Sequence, residues 1–252
     1  MATWLDSFFH SFDFGILQAV HGFAEATGGF FSPLLQLITT LGDGGIGLII
    51  LGLLLSCFRR TRKVGFTVLF AVAIGAIFTN LTIKPLVARA RPYTHEAYAA
   101  WWQSMGAHLE SEKSFPSGHT TATMAAMTAV FLTTPKKYSW TAFLFALLMG
   151  FTRLYFVVHY PSDILGGLLI GAVGAVLAYL LVCKLLLPLL ERKRESCRLC
   201  RFILEADAIA LLRRIFGKKA PADAPVDAPT EAPVDAPTDA PVDAPADDTP
   251  KQ

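Results

Sequence analysis

The sequence predicts an all-α fold: a polytopic membrane helix bundle with about six transmembrane helices, an N-terminal interfacial helix and a disordered C-terminal tail. Of its 252 residues, 53% are hydrophobic and only 17% are charged, which is more apolar than a soluble domain of this size. Several apolar runs approach the roughly 20 residues that cross the hydrocarbon layer of a bilayer. Short basic segments separate some of these runs, as they do in multi-pass membrane proteins.

Residues 1–25 are predicted to form an interfacial helix ahead of the first span. Ile16, Leu17, Val20 and Phe23 fall near one helical face, which is typical of a segment that lies in the membrane surface. We expect no cleavable signal, because the start is acidic and lacks a cationic segment that leads into an apolar core.

Residues 26–190 are predicted to form the transmembrane domain. Its six apolar runs are residues 26–41, 44–58, 64–83, 118–134, 138–158 and 164–187. The first two runs are short and are separated only by Gly42 and Asp43, so they are either a tight hairpin of two spans or a re-entrant pair. In the last run, Gly167, Gly171 and Gly174 stand at four- and three-residue spacings, which indicates close helix packing.

The basic residues of the short loops predict the orientation, because such residues favour the cytoplasmic side. If the chain crosses the membrane six times, the basic segments 59–63, 135–137 and 191–194 all fall on the same side. We expect that side to be cytoplasmic and to hold both termini. The opposite side, the periplasm or cell exterior, then receives Lys84, Arg89 and Arg91 against this bias. Cations kept on the unfavoured side indicate an anionic ligand.

The outer loop of residues 93–115 contains Tyr98, Trp101 and Trp102. Such rings are typical of the headgroup level of a bilayer. A lid over a lipid substrate is the alternative.

The C-terminal region is predicted to have two parts. Residues 191–219 alternate basic and apolar side chains, which suits an amphipathic helix on the anionic inner leaflet. In residues 220–252, acidic residues recur among Ala-Pro pairs, and such a segment buries too little surface to fold. We expect a disordered tether with a possible cytoplasmic partner. Beside a membrane core, neither part indicates nucleic-acid binding.

Three separated clusters of polar residues stand at the edges of the apolar runs and meet at one predicted rim. They are Lys84 and Arg91 with Pro92; Pro116, Ser117, Gly118 and His119; and Thr152, Arg153, His159 and Asp163. Guanidinium groups bind phosphate oxygens in pairs, whereas lysine supplies a compact charge. The helix start after Ser117 is itself an anion site. The set therefore indicates chemistry on a phosphoryl group.

A histidine and an aspartate in the third cluster suit nucleophilic catalysis. Pro161 disfavours helical geometry at Tyr160, so His159 and Asp163 are expected across a short turn. An aspartate that accepts a hydrogen bond from one ring nitrogen fixes the tautomer and leaves the other nitrogen free to attack phosphorus.

In order and spacing, the clusters resemble the signature of the type 2 phosphatidic acid phosphatase family of lipid phosphatases. That signature is a Lys, six residues, Arg-Pro; a Pro-Ser-Gly-His; and a Ser-Arg, five residues, His, three residues, Asp. The resemblance covers residues 25–187 and departs at Thr152, where the family usually carries Ser. It implies that His159 forms a phosphohistidine, that Asp163 orients it and that His119 protonates the leaving oxygen. It also implies that no metal or other cofactor is needed and that the substrate phosphate is bound by Lys84, Arg91, Ser117, Gly118 and Arg153.

The substrates implied by this resemblance are lipid phosphates. The candidates are polyprenyl diphosphates, phosphatidate, phosphatidylglycerophosphate and lipid A phosphates. We expect undecaprenyl diphosphate, because the predicted site faces outward in a compact, bacterial-looking chain. Soluble vanadium haloperoxidases have a similar pocket, but the predicted spans argue against their chemistry.

Taken one at a time, the cluster residues have plainer interpretations. Lys84, Arg89 or Arg91 alone is typical of an anchor whose side chain reaches the membrane surface, and Ser117 is typical of a helix cap. A membrane protein that binds or conducts anions without catalysis is the alternative function. Such a protein needs the cations but neither both histidines nor Asp163.

Overall fold

The computed structural model describes residues 1–110 and 113–216, and this part of the chain is helical without a β-strand. The predicted acidic repeat of residues 220–252 lies outside the described residues. The α-helices are α1 (Ala2–Phe8), α2 (His10–Ala26), α3 (Ser32–Leu41), α4 (Ile46–Ser56), α5 (Arg62–Ala76), α6 (Lys84–Val87), α7 (Glu96–Ser104), α8 (Gly118–Thr133), α9 (Lys136–Ser139), α10 (Ala142–Tyr155), α11 (Pro161–Tyr179), α12 (Leu187–Arg192), α13 (Arg198–Glu205) and α14 (Ala208–Phe216). Two π-helical segments, Ile77–Ile83 and Leu180–Leu186, continue α5 and α11.

The centre of the bundle is α8, which packs against α5, α10 and α11. Small residues allow this close approach, since Ala125, Ala129 and Ala175 are fully buried. A Cβ built on Gly171 would lie 2.5 Å from the carbonyl oxygen of Thr121. The close glycine packing predicted for the last run is therefore present between α11 and α8.

Two stretches of the described chain are long and apolar enough to cross a membrane, Arg62–Thr94 and Pro161–Arg192. A third span results if the bent pair Ser32–Leu41 and Asp43–Ser56 is counted as one. Helices α8 and α10 have 16 and 14 residues and are short for the roughly 20 residues of a full span. The membrane-helix bundle is thus confirmed in type, whereas six separate spans stay a prediction.

The first two predicted runs do not form a tight hairpin. Their helices are bent by 41°, so α3 and α4 continue in the same general direction. Gly44 and Gly45 make the break with φ values of 55° and 71°, the left-handed region that glycine adopts without steric cost. The pair is therefore either one broken span or a re-entrant segment, and Gly45 at the break is buried in the bundle.

Helix α2 is docked at the end of the bundle where α11 begins. Its buried residues are Asp13, Leu17, His21 and Ala24, so the inward face includes polar groups. Of the four apolar residues expected on one face, only Leu17 is buried, and Phe23 is exposed. Asp13 accepts a hydrogen bond of 2.8 Å from the backbone N–H of Ser162. The aromatic residues of the outer loop pack nearby, since Trp101 stacks on His21 at 4.7 Å.

The opposite end of the bundle holds the basic segments. Arg62 donates to the carbonyl oxygens of Leu204 and Ala206, and the N–H of Ala208 donates to the carbonyl oxygen of Cys57 at 3.0 Å. From Arg62 to Lys84 the helical path is about 33 Å long at 1.5 Å per residue. The N-terminal helix and the C-terminal segment therefore lie at opposite ends.

The prediction that both termini lie on one side counted the first two apolar runs as two crossings, and it stays a prediction. The described residues show only that α2 lies at the end of the bundle where α11 begins, whereas α13 lies at the end that holds Arg62.

Candidate active site

The predicted site residues gather around a cavity of about 210 Å³ at the end of the bundle where α2 docks. Lys84, Arg91, Gly118, His119 and His159 line it. Arg153 lines an adjoining cavity of about 170 Å³. Asp163 and Ser117 are not among the lining residues and lie buried behind them. The three sequence clusters thus meet at one place.

Local backbone features place the cations at the cavity. Helix α6 ends at Ala88, whose φ of 51° turns the chain, and the extended backbone at Arg91 precedes Pro92. Arg153 lies in the last turn of α10. Val157, with φ of 56°, then reverses the chain toward the start of α11. Both segments therefore approach the cavity through sharp turns.

His159 is held with a defined tautomer. Its Nε2 lies 3.1 Å from Nη1 of Arg91, and its Nδ1 lies 3.3 Å from Oδ2 of Asp163. Because a guanidinium group only donates, Nε2 must be the accepting nitrogen with a lone pair, and Nδ1 carries the proton that faces Asp163. This is the tautomer that a nucleophilic histidine needs.

The charge state of His159 suits the same role. The ring is only 1% exposed, and burial, followed by the positive charges of Arg91 and Arg153, lowers its pKa well below the ordinary 6.5. At neutral pH the imidazole is therefore uncharged.

Asp163 is fixed by bonds to both carboxylate oxygens. Oδ2 accepts from the backbone N–H of Tyr160 at 2.9 Å and from the hydroxyl of Ser114. Oδ1 accepts from Nη1 of Arg89 at 2.7 Å. Sequence reasoning missed Ser114, and its interpretation of Arg89 as a membrane-surface anchor is wrong, because Arg89 is 1% exposed.

Glu110 is a further site residue that sequence reasoning missed. Its carboxylate accepts from Arg153 and lies 3.8 Å from Nη2 of Arg91. Burial alone would raise the pKa of Glu110, but the charges of Arg153, His119 and Arg91 outweigh it and lower the pKa. The carboxylate of Glu110 therefore pairs with Arg153 and lies near Arg91, two cations that were predicted to bind phosphate. Nothing in the loop sequence around it indicated this contact.

The start of α8 presents backbone and imidazole groups to the cavity. The hydroxyl of Ser117 accepts from Thr120, from its N–H at 3.4 Å and its hydroxyl at 2.9 Å, so it caps the helix as expected and faces away from the cavity. Nε2 of His119 lies 3.1 Å from Oδ1 of Asp43, which comes from the break between α3 and α4. The positive end of the α8 dipole adds to the anion site.

One group of side chains in the described residues has the geometry of a metal site. Ligand atoms of Asp43, Glu110 and His119 lie within 4.8 Å of one another. The guanidinium group of Arg153 contacts the same carboxylate of Glu110. These surrounding positive charges suit an anion better than a metal ion.

Comparisons with known proteins agree with this chemistry. The family model described as the PAP2 superfamily matches residues 64–186. An undecaprenyl-diphosphatase of Sulfolobus acidocaldarius is 29% identical over 119 residues, which are 47% of this chain and 55% of that protein. A lipid A 1-phosphatase of Rhizobium johnstonii is 33% identical over 109 residues, 43% of this chain and 44% of that protein. A decaprenylphosphoryl-5-phosphoribose phosphatase of Mycobacterium tuberculosis is 34% identical over 140 residues, 55% of this chain and 74% of that protein.

The chain thus spans 55% and 44% of the length of the first two relatives. Among solved structures, the crystal structure of Aquifex aeolicus LpxE matches with a TM-score of 0.52 and 21% identity, over 66% of this chain and 94% of that one. At this identity the likeness shows the fold alone.

Proposed function

The chain belongs to the PAP2 superfamily, and from this premise we propose that it is a membrane lipid phosphatase that works through a phosphohistidine. The observation that carries the proposal is the placement of His159 at the cavity, with Nε2 beside Arg91 and Nδ1 facing Asp163. An anion-binding protein has no need of this arrangement. The non-catalytic alternative is therefore disfavoured.

In the first chemical step, Nε2 of His159 attacks the phosphorus atom and the bond from phosphorus to the lipid oxygen or bridging oxygen breaks. Lys84, Arg91 and Arg153 stabilise the charge on the phosphoryl oxygens. His119 protonates the leaving oxygen. Asp163 balances the positive charge that develops on the ring of His159.

In the second step, water attacks the phosphohistidine. The neutral ring of His119 left by the first step takes a proton from this water, and the phosphorus–nitrogen bond breaks. Inorganic phosphate leaves, and both histidines return to their starting states. No metal or other cofactor enters either step.

We propose undecaprenyl diphosphate as the substrate. Two relatives named above act on polyprenyl-linked phosphates according to their names, and the third is named for lipid A. Phosphatidate, phosphatidylglycerophosphate and lipid A are the competing substrates. We also propose that the cavity opens on the extracytoplasmic side and that the basic end of the bundle faces the cytoplasm.

The test is phosphate release by the purified protein in detergent from a panel of these lipids. We expect turnover of polyprenyl diphosphate to exceed that of the diacyl lipids, without added divalent metal and in the presence of EDTA. Faster turnover of lipid A or a diacyl phosphate would transfer the assignment to that lipid. Loss of activity in EDTA would contradict the metal-free mechanism.

The His159→Ala variant tests the nucleophile. We expect a loss of at least about 1,000-fold in kcat, because no other group in the mechanism attacks phosphorus. His10→Ala, an exposed histidine of α2, is the matched control and should keep wild-type turnover. Substantial activity in His159→Ala would remove the proposed intermediate.

A further inference from the structure

Arg89 is a buried cation outside the cavity with partners from three segments of the chain. Its Nε lies 2.8 Å from Oδ1 of Asp6, and its Nη2 lies 2.8 Å from Oδ2 of Asp13. Its Nη1 lies 2.7 Å from both Oγ of Ser162 and Oδ1 of Asp163. The guanidinium group also stacks 4.0 Å from the ring centroid of Tyr160. One side chain thus connects the N-terminal helices to the start of α11.

Asp13 completes this connection from α2. It is 2% exposed, and its Oδ1 accepts from the backbone N–H of Ser162 at 2.8 Å. Its Oδ2 accepts from the hydroxyl of Ser162 at 2.7 Å and from Arg89. A buried carboxylate with three bonds of this kind holds its partners in one geometry.

The two carboxylate oxygens of Asp163 contact different partners, and the balance between these contacts sets the position of its side chain. Oδ1 faces Arg89, and Oδ2 faces His159. As long as Asp13 balances the other side of Arg89, the guanidinium group is held between two buried carboxylates. Without the charge of Asp13, Arg89 has Asp163 as its only fully buried anionic partner in the described residues, because Asp6 is 42% exposed. Asp163 would then be drawn toward Arg89 and away from His159.

We propose that Asp13 is a positioning residue of the active site, which acts through Arg89 and Ser162 to keep Asp163 on Nδ1 of His159. The inference rests on the proposed function. It makes the N-terminal helix a part of the catalytic scaffold besides any role at the membrane surface. The alternative role, a simple anchor for α2, affects stability but not the chemical step.

The experiment compares Asp13→Asn with the wild type in the full chain. Asparagine keeps the shape, and its Oδ1 can still accept from the backbone N–H of Ser162. It loses the charge, and its amide nitrogen cannot accept from the hydroxyl of Ser162 or from Arg89. We expect kcat to fall about 10- to 100-fold, by analogy with the loss of a group that orients a metal-bound histidine, while KM stays within about twofold because the phosphate-binding cations are untouched. Glu25→Gln is the control, since Glu25 lies on the same helix, is 69% exposed and pairs only with His21 among the described residues.

Two further measurements separate the outcomes. The thermal midpoint in detergent reports anchoring, and a lowered midpoint with unchanged kcat would overturn the proposal. Binding of orthovanadate, a pentavalent phosphorus mimic, reports the site without turnover and should weaken in Asp13→Asn. A wild-type protein that neither binds vanadate nor releases phosphate would instead refute the proposed function. A wild type that does both, beside an equally active Asp13→Asn, would refute the positioning role alone.

Discussion

Glu110 lies against Arg153 and near Arg91, two of the cations proposed to bind the substrate phosphate. On the proposed function, the phosphate and this carboxylate compete for the same cations. Replacing Glu110 by Gln removes the competing charge.

We expect Glu110→Gln to lower the inhibition constant of orthovanadate by about three- to tenfold, which corresponds to roughly 1 kcal/mol of ion pairing for a partly exposed pair. Steady-state inhibition assays measure this effect. Glu96→Gln, at an exposed position of the same outer loop, is the control. Weaker vanadate inhibition in Glu110→Gln would mean that the carboxylate helps to bind the ligand.

The pH dependence follows from the charge state of His159. The active form is the neutral ring, and burial with the nearby guanidinium groups lowers its pKa below 6.5. On the acidic side, activity is therefore lost as the pH falls through this lowered value, and the acidic limb of kcat/KM should lie below pH 6.5.

Arg91→Gln removes one of these positive charges and should move the acidic limb to higher pH. The profile of kcat/KM against pH for both proteins measures the shift. A limb that stays in place would show that Arg91 does not set the ionisation of His159.

At the residue scale, the sequence motifs predicted which side chains gather, because cations and histidines at span edges are costly without a ligand. The motifs could not predict Asp13, Asp43 or Glu110. These residues come from a surface helix, a helix break and a loop, where no periodic pattern fixes a partner.

At the scale of elements, the contact between α8 and α11 depends on the absence of a side chain. In Gly171→Ala, the new Cβ would meet the carbonyl oxygen of Thr121 at 2.5 Å, so two helix backbones must separate. We expect a loss of about 1–3 kcal/mol in stability, measured as a lower unfolding midpoint in detergent.

Gly22→Ala in α2 is the matched control. A Cβ there has no neighbour within 4 Å, and alanine is the better helix former by about 0.5–1 kcal/mol. Its midpoint should stay level or rise. Equal destabilisation of both variants would contradict tight packing as the cause.

Element positions were largely predictable from apolar runs. The run predicted at 64–83 corresponds to Arg62–Ala76 and its π-helical continuation to Ile83. The angle between the helices of the first two runs was not predictable, because hydropathy indicates the length of a helix but not its direction relative to the next one. That angle follows from the left-handed backbone of Gly44 and Gly45.

At the scale of the whole molecule, the separated ends define a topology experiment. In a variant without the native cysteines, a cysteine introduced at Thr3 should react with a membrane-impermeant maleimide in intact cells. Cys197, restored alone, should react only after the membrane is permeabilised. Labelling of both positions in intact cells, or of neither, would contradict the placement of the two segments at opposite faces.

Deletion of residues 220–252 tests whether the tail takes part in turnover. The site residues, together with Asp13, lie between 13 and 163. The deletion removes none of them, so we expect kcat and KM within about twofold of the full chain. Phosphate release by the truncated protein measures this. A large loss would show that the tail supports the membrane domain.

Charge asymmetry and hydropathy thus predicted a bundle with a basic end and an anion-binding end. They placed the N-terminal segment with the basic end, whereas α2 contacts the end of the bundle where α11 begins. The position of α2 is set by contacts such as that between Asp13 and Ser162. Such contacts connect residues far apart in sequence.

The carboxylate of Glu110 among the guanidinium groups also bears on the end of the catalytic cycle. On the proposed mechanism, inorganic phosphate leaves the guanidinium groups that held the phosphate of the substrate. Glu110, which pairs with Arg153, supplies a counter-charge to that guanidinium group from within the chain. This counter-charge favours release of the product over its retention.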